Sequence, residues 1–142
     1  LGADMGIAAL ITWVITALGG FYLLYTWISR GGPRKPSTSH FPPALIFGHF
    51  SLAAIGLVIW IVYVITDSEA LSWVAFILLV PVAALGFTML FRWLPTYRNR
   101  ATAASDPPAE RHFPVAVVGG HGLFAVVTVV LVLLTALGVG ES

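Results

Sequence analysis

The sequence predicts an all-α integral membrane protein, a four-helix transmembrane bundle built from two tandem helical-hairpin repeats, with both termini outside. Three observations carry that expectation. Of 142 residues, 58% are hydrophobic and only 9% charged, and the mean hydropathy is +0.95. A water-soluble domain carries roughly 25% charged residues, so a soluble globular fold is excluded. Four apolar stretches are each long enough to cross a bilayer, and all seven Lys and Arg residues fall between the same pairs of stretches. With no cysteine there is no disulfide, thiolate metal site, iron–sulfur cluster or thiol nucleophile. The net charge of +1 gives no nucleic-acid signal.

A membrane helix needs about 20 mainly apolar residues. Residues 6–28, 43–66, 70–91 and 114–138 meet that requirement, within a single membrane domain covering 1–142. Between the first two, Arg30 to Ser39 (RGGPRKPSTS) is polar and rich in Pro, Gly and Ser; Leu94 to Arg111 (LPTYRNRATAASDPPAER) repeats that character before the fourth. Such stretches favour solvated turns. Asp67-Ser68-Glu69 is a tight turn between the second and third spans. No basic region precedes the first span and no small-residue cleavage site ends it, so it reads as a span and not as a signal peptide.

Charge placement sets the topology. Arg30, Arg34 and Lys35 flank the first loop, and Arg92, Arg98, Arg100 and Arg111 flank the third, whereas Asp4, Asp67, Glu69 and Glu141 occupy the other side, which has no Lys or Arg. The positive-inside rule makes loops 29–42 and 94–113 cytoplasmic. Trp27 and Trp93 fall at the basic interface and Trp73 at the acidic one, as aromatic belts prefer. Arg outnumbers Lys six to one, a composition that points to a GC-rich bacterial genome and hence to the inner (plasma) membrane.

The two halves correspond. His40-Phe41-Pro42-Pro43-Ala44 through Gly48-His49 matches His112-Phe113-Pro114-Val115-Ala116 through Gly120-His121, a shared H-F-P-x-A-x-x-x-G-H at an offset of 72 that continues to Ala53 and Ala125. The odd spans match at an offset of 66: Gly20-Phe21 and Trp27 with Gly86-Phe87 and Trp93. Repeat one is about 6–66 and repeat two about 70–138. Each has an even number of spans, so the repeats share one orientation about an axis along the membrane normal.

That repeat puts His49 and His121 at one depth, about 10 Å inside the basic end of their helices at 1.5 Å per residue. Gly20 and Gly86 reach the same layer from the antiparallel spans. An intramembrane histidine is by default a functional-site hypothesis, and imidazole is a strong ligand for haem iron and other transition metals. Two imidazoles facing each other across a bundle fit six-coordinate haem b. Gly20 and Gly86 would leave room for a macrocycle, and Gly48, Gly119, Gly120 and Gly122 thin the helix walls beside the ligands.

In these features the chain resembles the four-helix haem-binding core of membrane b-type cytochromes, in which the second and fourth helices carry paired histidines and glycines on the first and third make room. The resemblance covers most of the chain. In that pattern the two histidines of one helix are spaced more widely and bind two stacked haems. Here they are nine apart, which at about 100° per residue leaves them half a turn out of phase. His40 and His112 also precede the helix-opening prolines, so the expectation is one haem at His49 and His121. For His40 and His112 the first expectation is a helix entry, with haem propionates, a quinone head group or a surface metal ion as alternatives. Arg92 is placed either on a propionate or snorkelling to lipid phosphate. Pro81 is expected to kink the third span and free the carbonyl of Ile77.

The chain has no Ser/His/Asp set, no H-E-x-x-H, no phosphate loop and no dinucleotide fingerprint, so hydrolysis is not expected. No carboxylate lies inside a span, against an ion-coupled carrier. The leading expectation is therefore electron transfer, linked to quinone or to other subunits of a respiratory complex. Two others stand beside it. The histidines could only glue helices together in a cofactor-free accessory subunit, or His40, His49, His112 and His121 could form a transition-metal ladder.

Overall fold

The computed structural model describes residues 2–35, 38–102 and 106–139. Glu141, assigned above to the acidic side, lies outside them, as do residues 36–37 and 103–105 of the two loops. Four helices make the fold: α1 (Gly2–Ser29), α2 (Pro43–Thr66), α3 (Glu69–Arg98) and α4 (Val115–Ala136), with a short 3-10 helix, Ala109–His112, before α4. All four long helices are apolar enough and long enough to cross a membrane, a multi-pass architecture.

Local chemistry explains the ends. After α1, Gly31 takes a φ of +88°, and a Cβ on Gly32 would fall inside the Trp27 indole. The Gly-Gly pair thus supplies one left-handed turn and one close approach. Pro43 opens α2 at its first turn, where a missing N–H costs nothing. Asp67 closes it in the left-handed region (φ 56°), its N–H donating to Tyr63 O at 2.7 Å. Gly138 (φ 77°) ends α4, with the Val139 N–H returning to Leu134 O in a Schellman closure.

The third helix is longer than expected. It starts at Glu69 and continues past Phe91 through Pro95 to Arg98, so Leu94 to Arg98 are helical and not loop. Proline gives up the bond its N–H would have made and crowds the carbonyl four residues back, yet the helix runs on through Pro95. The added turn is held from outside: Trp93 stacks on Tyr97 at 4.9 Å, and the Trp93 indole N–H donates to Glu110 O. At 1.5 Å per residue the 30 residues of α3 span about 45 Å.

In the bundle, α1 packs chiefly on α4 and α2 chiefly on α3, while α2 faces α4, and α1 faces α3, across the diagonal. Two apolar clusters fill it. Toward the acidic end Ala9, Trp13, Trp60, Tyr63, Ala75, Leu79, Val82 and Val132 pack together. Toward the basic end Trp27, Phe41, Ile46, Trp93 and Ala109 do so. Lipid tails are as apolar as these side chains, so close packing and hydrogen bonds, not hydrophobic transfer, hold the helices. Gly56 illustrates it: a Cβ there would lie 3.0 Å from the Trp13 ring. Trp60, fully buried, donates its indole N–H to Gly6 O at 3.0 Å.

A candidate two-histidine site

Between the two clusters lies the histidine layer. On α2, His49 places Nδ1 2.9 Å from the backbone carbonyl of Val82 on α3. On α4, His121 places Nδ1 2.7 Å from the carbonyl of Thr16 on α1. A carbonyl only accepts, so Nδ1 carries the proton in both rings. The lone pair is then on Nε2 in each neutral imidazole.

A carbonyl in mid-helix already accepts from the N–H four residues on. Here that residue is glycine in both cases: Gly20 follows Thr16, and Gly86 follows Val82. With no side chain over it, the carbonyl oxygen stays open to a second donor from the neighbouring helix. The fit is tight. A Cβ on Gly20 would lie 3.0 Å from His121 Cε1, and one on Gly86 would lie 3.3 Å from His49 Cε1. Gly19 adds to the α1 side, where a Cβ would meet the Cβ of His121 at 3.5 Å. Gly20 and Gly86 therefore accommodate the histidine rings themselves.

The two rings meet edge to face, centroids 6.4 Å apart and planes at 71°. Two imidazoles bound on opposite sides of one ion, each with nitrogen roughly 2 Å from it, place their centroids roughly 6 to 6.5 Å apart. Among the described residues no three or more His, Cys, Asp or Glu side chains gather as a metal cluster. A bare zinc ion asks for three or four protein ligands, whereas haem iron brings four equatorial nitrogens and needs axial ones. Each Nδ1–H to carbonyl bond fixes the tautomer and orientation of its ring, as outer-shell contacts do for metal-ligating histidines.

The remaining sequence candidates lie elsewhere. Gly48, Gly119, Gly120 and Gly122 would each project a Cβ into open space. Arg92 donates from Nη1 to the backbone carbonyl of His40 at 3.0 Å. His40 belongs to a separate cluster at the basic end, with Nδ1 3.1 Å from Glu110 Oε2 and 3.3 Å from Thr96 Oγ1. His112 is largely exposed, and the partial desolvation of its ring, followed by the charges of Arg30 and Arg111, holds its pKa below the ordinary histidine value.

Sequence reasoning missed Glu110. Its side chain is fully buried. Oε1 accepts from Ser39 Oγ at 2.9 Å, and Oε2 accepts from the backbone N–H and ring of His40. Ser39 in turn accepts the Trp27 indole N–H at 3.0 Å. The available signal was its setting, an acid after Pro107-Pro108-Ala109 and two residues before the second H-F-P unit. No protein-family model matches this chain, and no curated protein or solved structure does.

Proposed function

We propose that this chain is a small membrane b-type haem protein that transfers electrons, with one haem held by His49 and His121. The observation that carries the reading is the mirrored anchoring of two imidazoles, Nδ1 spent on a carbonyl and Nε2 left as a lone pair in each. Bound there, the iron would supply a one-electron couple. The chain's own part is to hold both rings in one tautomer, to keep the layer dry between two apolar clusters, and to tune the ligands through the Thr16 and Val82 carbonyls.

The contacts recur at the offsets that relate the two halves. Thr16 and Val82, like Gly20 and Gly86, are 66 apart, and His49 and His121 are 72 apart. That supports two tandem hairpin repeats. The positive-inside rule places the basic end, with loops 29–42 and 94–113, in the cytoplasm of a bacterium. Electron exchange with quinone or with a respiratory partner subunit would then enter from that side, to which the histidine layer is nearer.

One observation favours a second reading. Each Nδ1–H bond joins two helices, α2 to α3 and α4 to α1, and so would hold together a cofactor-free accessory subunit. One experiment separates the two. After haem-replete expression, the purified protein is expected to give a Soret band and a pyridine haemochrome spectrum of one b-type haem per chain, lost in His49→Ala and His121→Ala. A colourless wild-type protein overturns the haem reading and leaves the histidines as helix glue.

A further inference from the structure

The two imidazoles are mirrored, but what lies beside them toward the acidic end is not. On α1, Thr12 precedes Thr16 by one helical turn, and on α4, Thr128 follows His121 by two turns along the same face. Their hydroxyls meet across the α1–α4 seam, with the oxygens 2.9 Å apart. Thr12 directs its proton to Ala9 O at 3.0 Å, so its oxygen receives. Thr128 is buried and shares its proton between that oxygen and Phe124 O at 2.7 Å. Thr16 is tied to the same turn, its hydroxyl donating to Thr12 O at 2.7 Å.

The corresponding positions of the α2–α3 seam carry no hydroxyl. Leu78 stands 66 residues after Thr12, and Gly56 stands 72 before Thr128. These two also face each other, since a Cβ on Gly56 would lie 3.9 Å from the Leu78 Cβ. An apolar contact resists separation of two helices but tolerates sliding. A hydrogen bond weakens steeply away from its length and angle, so the Thr12–Thr128 bond fixes the axial register of α4 on α1. Register is what His121 needs. A slip of one residue moves the Thr16 carbonyl 1.5 Å along the axis, more than half of the 2.7 Å between it and His121 Nδ1.

We infer that Thr12 and Thr128 are positioning residues for His121. Their bond sets α1 against α4 so that Thr16 O meets Nδ1, and it holds His121 in one tautomer more firmly than His49, whose seam has Leu78 and Gly56 at those positions. The assignment concerns the imidazole and its carbonyl, and it stands apart from what the two Nε2 lone pairs hold.

The test follows the Nδ1–H of both histidines by NMR on the full chain in phosphatidylcholine nanodiscs at about pH 8, with dithionite present so that any bound haem iron is diamagnetic. In the wild type the His121 proton is expected to exchange with water more slowly than that of His49. Thr128→Val should speed the exchange at His121 by about threefold, the worth of one average interhelical bond in a membrane, and leave His49 unchanged. Thr12→Val should do the same, and Thr128→Ser, which keeps the hydroxyl, should restore the wild-type rate. An unchanged His121 in both valine variants, equal changes at both histidines, or a serine variant that behaves like the valine one overturns the assignment. So does a wild-type His121 that exchanges as fast as His49.

Discussion

The Cε1 of His121 lies 3.0 Å from where a side chain on Gly20 would begin, while that of His49 lies 3.3 Å from the equivalent point on Gly86. The two halves of the histidine layer are matched in kind and unequal in tolerance. On the α1 side neighbouring Gly19 also faces His121, whereas the position before Gly86 is Leu85.

The inequality gives a graded series of alanine substitutions. Glycine to alanine in a helix interior gains up to about 1 kcal/mol from propensity alone. Gly48→Ala and Gly120→Ala, whose Cβ atoms meet nothing, should be neutral or stabilising. Gly20→Ala must displace an imidazole held at Nδ1 by the Thr16 carbonyl and should destabilise by about 1 to 2 kcal/mol through overpacking, with Gly86→Ala falling between. Reversible unfolding in mixed micelles reads the order, and a Gly48→Ala loss as large as that of Gly20→Ala would refute it.

Glu110→Gln keeps the size of the side chain and changes what it can accept. One oxygen becomes an NH₂ facing either the Ser39 hydroxyl or the His40 N–H, so a buried donor loses its acceptor at a cost of about 1 to 3 kcal/mol. The effect should be local, read as faster proteolysis of the 29–42 loop with α-helical content unchanged.

His112 should titrate below 6.5. A histidine whose folded pKa is depressed binds fewer protons folded than unfolded between the two values. Its contribution is full above 6.5 and is lost as pH falls toward the folded pKa. Arg30→Gln should raise that pKa by NMR titration while leaving it below 6.5, because burial is the larger cause.

Thr128 is buried, its Oγ1 lying 2.9 Å from Thr12 Oγ1 and 2.7 Å from Phe124 O, with one hydroxyl proton shared between the two contacts. Interhelical side-chain bonds in membranes average about 0.6 kcal/mol. Thr128→Val should lower stability by about that amount, and a Thr12→Val/Thr128→Val double-mutant cycle should return a coupling of the same size.

The four spans were legible because hydropathy and proline placement act locally; α2 runs over the residues its flanking Pro and Asp announce. The H-F-P and G-H correspondence was also legible, and the two histidines that it sets at one depth do meet across the bundle. What Gly20 and Gly86 do was not. Their spacing from Thr16 and Val82 matters only once another helix supplies a donor, which no single-helix pattern encodes. The extension of α3 through Pro95 was hidden for the same reason. Proline reads as a stop unless Glu110, 15 residues further on, is known to accept from Trp93. Glu110 itself is an ordinary loop acid in sequence and a buried one only because two loops close over it.

The two imidazole-to-carbonyl bonds run from α2 to α3 and from α4 to α1, so each crosses from one hairpin to the other. A lone hairpin thus holds half of each bond: one histidine without its carbonyl and one carbonyl without its histidine. The histidine layer is therefore an interface between the first two helices and the last two. Cutting the chain in the 67–69 turn would turn the histidine layer from a fixed feature into a concentration-dependent one, assembled only when two halves meet in the bilayer.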